Sequence, residues 1–255
     1  MLTQEQIESV KRYQSSMAHK VIAYDVVDVK SIRYVVGVDT AYKDDRAFAA
    51  AVMVDRLDGR IVHESSSISR VYIPYIPGLL FLREGAPMLN VLRSMLKHVY
   101  GRYSGPGIDD CIILVDGNGM LHPRLFGLAC YIGIIIDIPT IGVSKSLLCG
   151  TISKSNGPER VMLNCREVAR VVEYNGKRIY VSIGHKISLD SAESIVRSLI
   201  HYYGVGMRAE GMKVRGAVAT TTTTRRSVQQ SSILPEPLRL AHISANALRR
   251  SQALP

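Results

Sequence analysis

Three carboxylates, far apart along the chain, stand at the ends of apolar runs or near the start of a helix. Asp39 closes the run RYVVGVD, and Asp116 closes the run CIILVD directly before a glycine. A lone charge inside a sheet is costly, so each of these acids needs a partner. If the two strands are neighbours, both carboxylates reach one edge of the sheet, and Glu84 completes the group from above. Three hard oxygen ligands suit Mg²⁺ or Mn²⁺ and argue against zinc.

Each carboxylate taken alone has an ordinary structural explanation. An Asp that ends a strand often caps a turn, and a Glu in the first turn of a helix complements the helix dipole. Metal binding is therefore inferred from the combination of the three acids with the segments around them.

A proline-rich loop lies just ahead of Glu84. In RVYIPYIPGLLFLREGAP, residues 70–87, Tyr75 stands between two Ile-Pro pairs. Because each proline removes a backbone donor that a strand would need, the segment is predicted to be a rigid loop. A tyrosine held in this way either packs into the core or stays exposed, where it can stack on a nucleic-acid base.

Two further polar residues follow the predicted strands. His122 lies six residues after Asp116, in the loop VDGNGMLHPRLFG. It is either an idle surface group or a residue that orients a phosphate or an attacking water. Lys145, in TIGVSKSLL, is placed just past a short strand at a predicted helix start, where an ammonium can bind a phosphate. An ordinary surface lysine is the alternative.

Alternating and continuous apolar runs define the elements that must position these residues. Strands are predicted at 33–39, 47–55, 60–70, 111–116, 139–143, 167–174 and 178–183. Helices are predicted at 3–21, from the proline-rich loop to Tyr100, at 124–137, at 188–202 and again from 234 onwards. This order predicts an α/β fold with a ribonuclease H-like mixed sheet flanked by helices.

Composition restricts the class of protein. The chain has 255 residues, 47% of them hydrophobic, and a formal net charge of +10, which favours a polyanionic partner. A basic protein without any nucleic-acid role is the alternative. From the polar N-terminal residues we expect no secretory leader, and the longest apolar stretch, Leu125–Ile136, is too short to cross a bilayer. We expect a cytoplasmic monomer without a membrane segment.

Four cysteines are widely spaced, without a CxxC pair. We predict that they are buried small hydrophobic residues in a reducing compartment, and neither disulfides nor zinc ligands. They are Cys111, Cys130, Cys149 and Cys165.

The C-terminal fifth of the chain differs in amino-acid composition from the rest. From residue 203 on there are eight Lys or Arg against two Glu, and five threonines occupy 220–224. We predict a ribonuclease H-like domain at 1–203, a flexible basic threonine-rich insertion at 204–233 and a C-terminal helix at 234–255 that packs back on this domain. The basic segment is either a solvated tail or a nucleic-acid arm.

Several segments together resemble one known family. GVDTAY, PYIPGLLFLREGAP, VDGNGMLHPRLFGLA, IPTIGVSKSLL, VSIGHKISLDSA and LPEPLRLAH are similar to motifs of the endonuclease V family of inosine-directed repair nucleases. The resemblance covers residues 3–202 and 234–247. It implies a ribonuclease H-like fold and a Mg²⁺-dependent enzyme, in which Mn²⁺ can substitute. It also implies cleavage of DNA at the second phosphodiester bond 3′ of deoxyinosine, leaving 3′-hydroxyl and 5′-phosphate ends.

The resemblance also implies roles for single residues. The metal ligands would be Asp39, Glu84 and Asp116, and Tyr75 would be the wedge that fills the gap left by a flipped base. The residues near the scissile phosphate would be His122, Lys145 and His242. Substrate-binding residues would also include Pro77, Gly78, Gly117 and Gly127, the glycines because backbone N–H groups could then approach the hypoxanthine carbonyl.

The sequence therefore predicts metal-assisted hydrolysis of DNA that contains deoxyinosine, with one or two Mg²⁺ ions. Inosine-containing RNA is a further potential partner. Two alternatives remain open at this stage: an inosine-specific endonuclease of single-stranded RNA, and a non-catalytic nucleic-acid-binding module.

Overall fold

The computed structural model describes residues 2–105, 107–154, 157–206 and 233–252. These residues form five α-helices: α1 (Gln4–Ala18), α2 (Leu80–Tyr100), α3 (Leu128–Ile136), α4 (Leu189–Gly206) and α5 (Glu236–Ser251). They also form nine strands: β1 (Tyr34–Lys43), β2 (Arg46–Asp55), β3 (Ile61–Arg70), β4 (Cys111–Asp116), β5 (Thr140–Ser144), β6 (Thr151–Ser153), β7 (Arg160–Leu163), β8 (Arg166–Tyr174) and β9 (Lys177–His185).

All nine strands belong to one mixed sheet in the order β3-β2-β1-β4-β5-β9-β8-β7-β6. The first three strands form an antiparallel meander, whereas β1, β4 and β5 run parallel to one another. Strands covered on both faces are continuously apolar, and the predicted central run 111–116 follows this rule. The α/β fold with a mixed sheet and flanking helices is thus confirmed.

Residues of β4 alternate between two hydrophobic cores. Ile113 and Val115 pack with α2 and α3 on one face, while Ile112 and Leu114 pack with α4 and the start of α5 on the other. This alternation follows from the two-residue period of a strand. The helices therefore cover both faces of the central strands and fix them in position.

Close packing of α5 on β1 depends on a glycine. A Cβ atom at Gly37 would lie 2.2 Å from the backbone of Pro237, at the start of α5. No larger residue fits there, so the absence of a side chain lets the helix backbone approach the strand. The helix then runs along β1 and β2, where Ala241 and Ala245 are fully buried against the sheet.

Several predicted boundaries differ from the structure. The helix predicted at 124–137 begins only at Leu128. The residues before it form a loop that is closed by a backbone hydrogen bond from Leu125 N to His122 O. The predicted helix start at Lys145 is wrong, since an irregular segment leads from there into β6. Strands β6 and β7 were not predicted, because both are short and lack a clear apolar alternation.

Other predictions of the sequence are resolved in part. Cys111 and Cys130 are buried, but Cys149 is only half-buried and Cys165 is exposed, so burial was predicted wrongly for these two. All four cysteines are free.

The predicted insertion falls largely outside the described residues, and the division into domains stays a prediction. No helix among the described residues is long and apolar enough to cross a membrane.

Candidate active site

Asp39 and Asp116 lie at adjacent positions of neighbouring strands. The parallel pairing of β1 with β4 runs up to Val38 opposite Val115, and the next residue of each strand is an aspartate. The strand was predicted to end at Asp39, and this boundary is wrong. Strand β1 continues to Lys43, and there it pairs with β2 alone. The two carboxylates therefore meet where β4 stops and the sheet opens a cleft.

Polar groups from two other parts of the chain contact these aspartates. His242, on α5, places Nδ1 2.7 Å from Asp39 Oδ2. Since a carboxylate only accepts, Nδ1 carries the proton, and this hydrogen bond raises the pKa of His242. Lys145 Nζ donates to Asp116 Oδ2 at 2.8 Å. The pKa of Asp116 is nevertheless raised, first by burial and then by the charge of Asp39.

Glu84 is the fifth residue of α2, just past the first turn, and lines the same cleft. Burial raises its pKa to about 8, and the charges of Asp39 and Asp116 add to the effect. The next residue, Gly85, allows α2 to pack on α3, because a Cβ there would lie 2.5 Å from the ring of Tyr131. This contact holds the helix, and Glu84 with it, over the end of the sheet.

The donor set fits a divalent cation. Asp39, Asp116 and His242 each offer one ligand atom, and these atoms lie within 4.8 Å of one another. Glu84 is not in this group, although Asp39 and Asp116 are close enough for their charges to raise its pKa. So many buried carboxylates repel one another unless a cation is shared between them, which is why a metal ion suits this place. His242 joins the ligand atoms although the sequence predicted only the three acids as metal ligands.

The cleft is a cavity of about 790 Å³ at the open end of β1 and β4. Its floor carries the acids described above, and its walls come from the proline-rich loop, from α2, from α5 and from the segment after β5. The wall residues include Tyr75, Leu80, Arg83, Lys145, Leu148, His242, Asn246 and Arg249. The cavity is wide, and both charged and apolar side chains line it.

Tyr75 projects from the proline-rich loop into this cavity, with 62% of its surface exposed. The exposure excludes the alternative in which the ring packs into the core. Arg83 anchors the loop, because its Nη1 donates to Ile73 O at 2.8 Å while its guanidinium lies 4.2 Å from the centre of the Tyr42 ring. Pro77, also exposed, follows in the same loop.

A smaller pocket adjoins the cavity. The two share Tyr75, Leu80, Asn118 and Leu148, and the smaller pocket is otherwise lined by residues of α1, of the loop before α3 and of α3 itself. Gly78 and Gly127 lie on its wall, and Gly117 lies on the wall of the larger cavity. A flat group of limited size, held next to Tyr75, would fit this arrangement.

The glycines act chiefly through close packing. A Cβ at Gly127 would lie 2.2 Å from Asn118 O, so only glycine allows the two loop segments to touch. The amide of Gly127 already donates to Gly119 O at 3.0 Å, and the amide of Gly117 donates to Val143 O at 2.9 Å. In this structure neither amide is therefore a free donor for a ligand.

His122 lies in the smaller pocket and not beside the acids. It is buried, and its Nε2 lies 2.9 Å from Gly78 O while its Nδ1 accepts from Arg124 N at 3.2 Å. Burial lowers its pKa to about 4, so the ring is neutral with the proton on Nε2. Both ring nitrogens are occupied, and they hold the loop that carries Tyr75.

Gln14 extends this network and was missed by the sequence analysis. It is fully buried on α1, where its Nε2 donates to Phe126 O at 2.9 Å and its Oε1 accepts from Arg124 Nε at 2.8 Å. Arg124 Nη2 in turn donates to Gly78 O at 2.8 Å. The available signal was a polar residue three positions before Met17 on the apolar face of the helix.

Comparison with known proteins identifies the family. The endonuclease V family model matches residues 15–206. The chain is 36% identical over 247 residues to endonuclease V of Thermofilum pendens, covering 96% of this chain and 89% of the relative. The chain belongs to the endonuclease V family.

Other members of the endonuclease V family agree with this assignment. Endonuclease V of Desulfurococcus amylolyticus is 39% identical over 175 residues, covering 68% of this chain and 75% of the relative. The crystal structure of endonuclease V from Streptomyces avermitilis is similar with a TM-score of 0.71 and 27% identity, over 99% of this chain and 96% of that one. The protein is accordingly a nuclease of this family.

A structure with nucleic acid is also similar. Endonuclease V of Ciona intestinalis, in complex with a 23mer DNA containing an inosine followed by a ribo-adenosine, superposes with a TM-score of 0.74. The two chains are 25% identical over 98% of this chain and 100% of that one.

Proposed function

We propose that this protein is a metal-dependent endonuclease that recognises deoxyinosine in DNA. It cuts the second phosphodiester bond 3′ of the lesion and leaves 3′-hydroxyl and 5′-phosphate ends. The observation that carries the proposal is the convergence of Asp39, Asp116 and His242 in an open cavity next to a smaller pocket. The DNA complex of the Ciona intestinalis relative supports the choice of substrate.

Asp39, Asp116 and His242 would hold the metal ion, and Glu84 faces the same site. A bound Mg²⁺ ion, or Mn²⁺ in its place, supplies an activated water and stabilises the leaving 3′-oxygen. Ligand sets rich in carboxylate oxygens favour Mg²⁺ and Mn²⁺ over zinc. The single histidine nitrogen is a ligand type that zinc also binds.

Lys145 and His242 have separate tasks at this site. Lys145 sits 2.8 Å from Asp116 and is half-exposed, so its ammonium lies at the metal site and can neutralise charge on the phosphate in the transition state. His242 Nδ1 donates to Asp39, which orients the carboxylate toward the ion.

Tyr75 and the smaller pocket would select the base. A base that leaves the stack costs unstacking energy, and stacking of the exposed Tyr75 ring on the remaining bases returns roughly 1–3 kcal/mol of this cost. The two prolines of the loop limit the entropy lost when the ring inserts. His122, Arg124 and Gln14 would hold Gly78, and with it the wall between the loop and the pocket.

Cleavage of labelled oligonucleotides tests this proposal. A 5′-labelled strand with one deoxyinosine is incubated with the protein in Mg²⁺ and in EDTA, beside the Asp116→Asn variant as a matched control. We expect one product, whose length places the cut at the second bond 3′ of deoxyinosine. This product should form only when the unaltered protein is incubated with Mg²⁺, and neither in EDTA nor with the variant. Equal cutting of an adenine control strand, or undiminished cutting by Asp116→Asn, would contradict the proposal.

Inosine-containing RNA is the second candidate substrate. The reason is the ribo-adenosine that follows the inosine in the strand bound to the Ciona intestinalis relative. The same assay with a matched inosine RNA strand separates the two, because a contact to the 2′-hydroxyl would make the RNA strand the faster substrate.

A further inference from the structure

Helix α5 carries three polar residues on the face that lines the main cavity. His242, Asn246 and Arg249 are spaced by four and three residues, which places them above one another on the helix. His242 contacts Asp39, and Asn246 Nδ2 donates to His242 O at 2.9 Å. Arg249 is the third member of the row, and the metal site does not use it.

The guanidinium of Arg249 has an unsatisfied donor. Its Nε is buried, yet it has no hydrogen-bond partner among the described residues. A buried donor without a partner is destabilising, and more so when the group is charged. Because arginine stays protonated at all physiological pH values, the group that satisfies it must be an acceptor, and an anion is favoured.

The acids of the cavity are not that acceptor. Asp39 is paired with His242, and Asp116 with Lys145. Within the described part of the chain, no ion pair of 4.0 Å or less includes Arg249. The cavity wall therefore presents a cation to whatever occupies the cavity, and two oxygens of a phosphate match the planar fork of N–H donors of a guanidinium.

The position of Arg249 also gives a direction along the substrate. The smaller pocket shares Tyr75 and Leu148 with the cavity, but no α5 residue lines it. Arg249 therefore lines a wall of the cavity that does not reach the smaller pocket. A strand whose base enters the pocket and whose next phosphates cross the acids would continue toward this wall on the 3′ side of the cut.

We propose that Arg249 binds a phosphate of the DNA strand on the 3′ side of the scissile bond. This inference rests on the proposed function, since it takes the direction of the strand from the position of the cut. Arg249 is then a substrate-binding residue, and it stabilises the bound substrate and the transition state alike.

Steady-state cleavage of a deoxyinosine strand tests the inference with Arg249→Ala, Arg249→Lys and, as matched control, Arg250→Ala. Arg250 is the next residue of the helix, exposed and outside the cavity. We expect Arg249→Ala to raise KM about ten- to a hundredfold with little change in kcat, as for one lost charge-assisted contact. The slope of log KM against log salt should fall by about 0.7, the value for one phosphate contact on a single strand.

Substrate length distinguishes the 3′ side from the 5′ side. The difference in KM between the unaltered protein and Arg249→Ala should vanish on strands that end directly after the cut. It should persist on strands that are shortened on the 5′ side. Arg249→Lys, which keeps the charge, should retain most of the salt slope, and thermal melting checks that each variant is folded.

The possible failures can be told apart. If the unaltered protein does not cut the deoxyinosine strand, the proposed function is wrong. If it cuts, but Arg249→Ala behaves like Arg250→Ala, this inference alone is wrong. A difference that persists on strands without a 3′ extension would overturn the assignment of Arg249 to that side.

Discussion

The buried imidazole of His122 provides a test of the pocket geometry that does not depend on catalysis. Its Nε2–H donates to Gly78 O, and its Nδ1 accepts from Arg124 N. A second proton on the ring must go to Nδ1, where it removes the hydrogen bond from Arg124 N. It also places a charge beside the Arg124 guanidinium, which binds the same carbonyl at 2.8 Å. Acid should therefore destabilise the folded protein through this residue.

The magnitude follows from linkage between proton binding and folding. The pKa of His122 is about 4 in the folded protein, against 6.5 for an ordinary histidine. Between these values the unfolded chain binds more protons, so the stabilising effect is complete above pH 6.5 and is lost as the pH falls. From about pH 7.5 to about pH 5 the loss amounts to about 2 kcal/mol, and below pH 4 to about 3 kcal/mol.

Urea denaturation of the unaltered protein and of His122→Gln, at several pH values between about 7.5 and 5, measures this effect. Glutamine can donate to Gly78 O but does not titrate. The free energy of unfolding of the His122→Gln variant should therefore fall less steeply with decreasing pH than that of the unaltered protein. Other titrating groups, such as His185, are common to both proteins and cancel in the difference. Parallel curves for the two proteins would refute the inferred neutral, doubly bonded state of His122.

Three further substitutions have predicted outcomes. Tyr75→Ala should weaken binding to an inosine duplex by about 1–3 kcal/mol and to a single strand by less, in gel-shift titrations; equal losses would contradict a wedge. Gly37→Ala should displace α5, lowering both the melting temperature and cleavage, because its Cβ would overlap the α5 backbone. Gln14→Met should cost about 1–3 kcal/mol in urea, since it leaves Arg124 Nε without a partner, whereas exposed Gln4→Met should change little.

Much of the candidate site was predictable from local patterns. Two continuous apolar runs marked the buried central strands, and the acid at the end of each run had to meet the other if the strands were neighbours. Paired prolines marked the loop of Tyr75, because proline excludes a strand. Thr3 and Gln6 form a capping box at the start of α1, a motif that their spacing alone indicates.

Other features depend on contacts between distant parts of the chain. His242 reaches Asp39 across 203 residues, through the packing of α5 on Gly37. The same packing presents Arg249 to the cavity, and the burial of Gln14 against Arg124 depends on how α1 meets the loop before α3. The family resemblance placed His122 near the scissile phosphate, but in the structure it lines the smaller pocket.

Periodicity and turn chemistry thus determined which residues lie in strands, in helices or in a rigid loop, because these properties depend on neighbours in sequence. Tertiary structure decided which polar groups face each other, which donors remain unsatisfied and how far each pKa moves. Those quantities depend on distance and on exclusion of water, and neither is set until separate elements pack together.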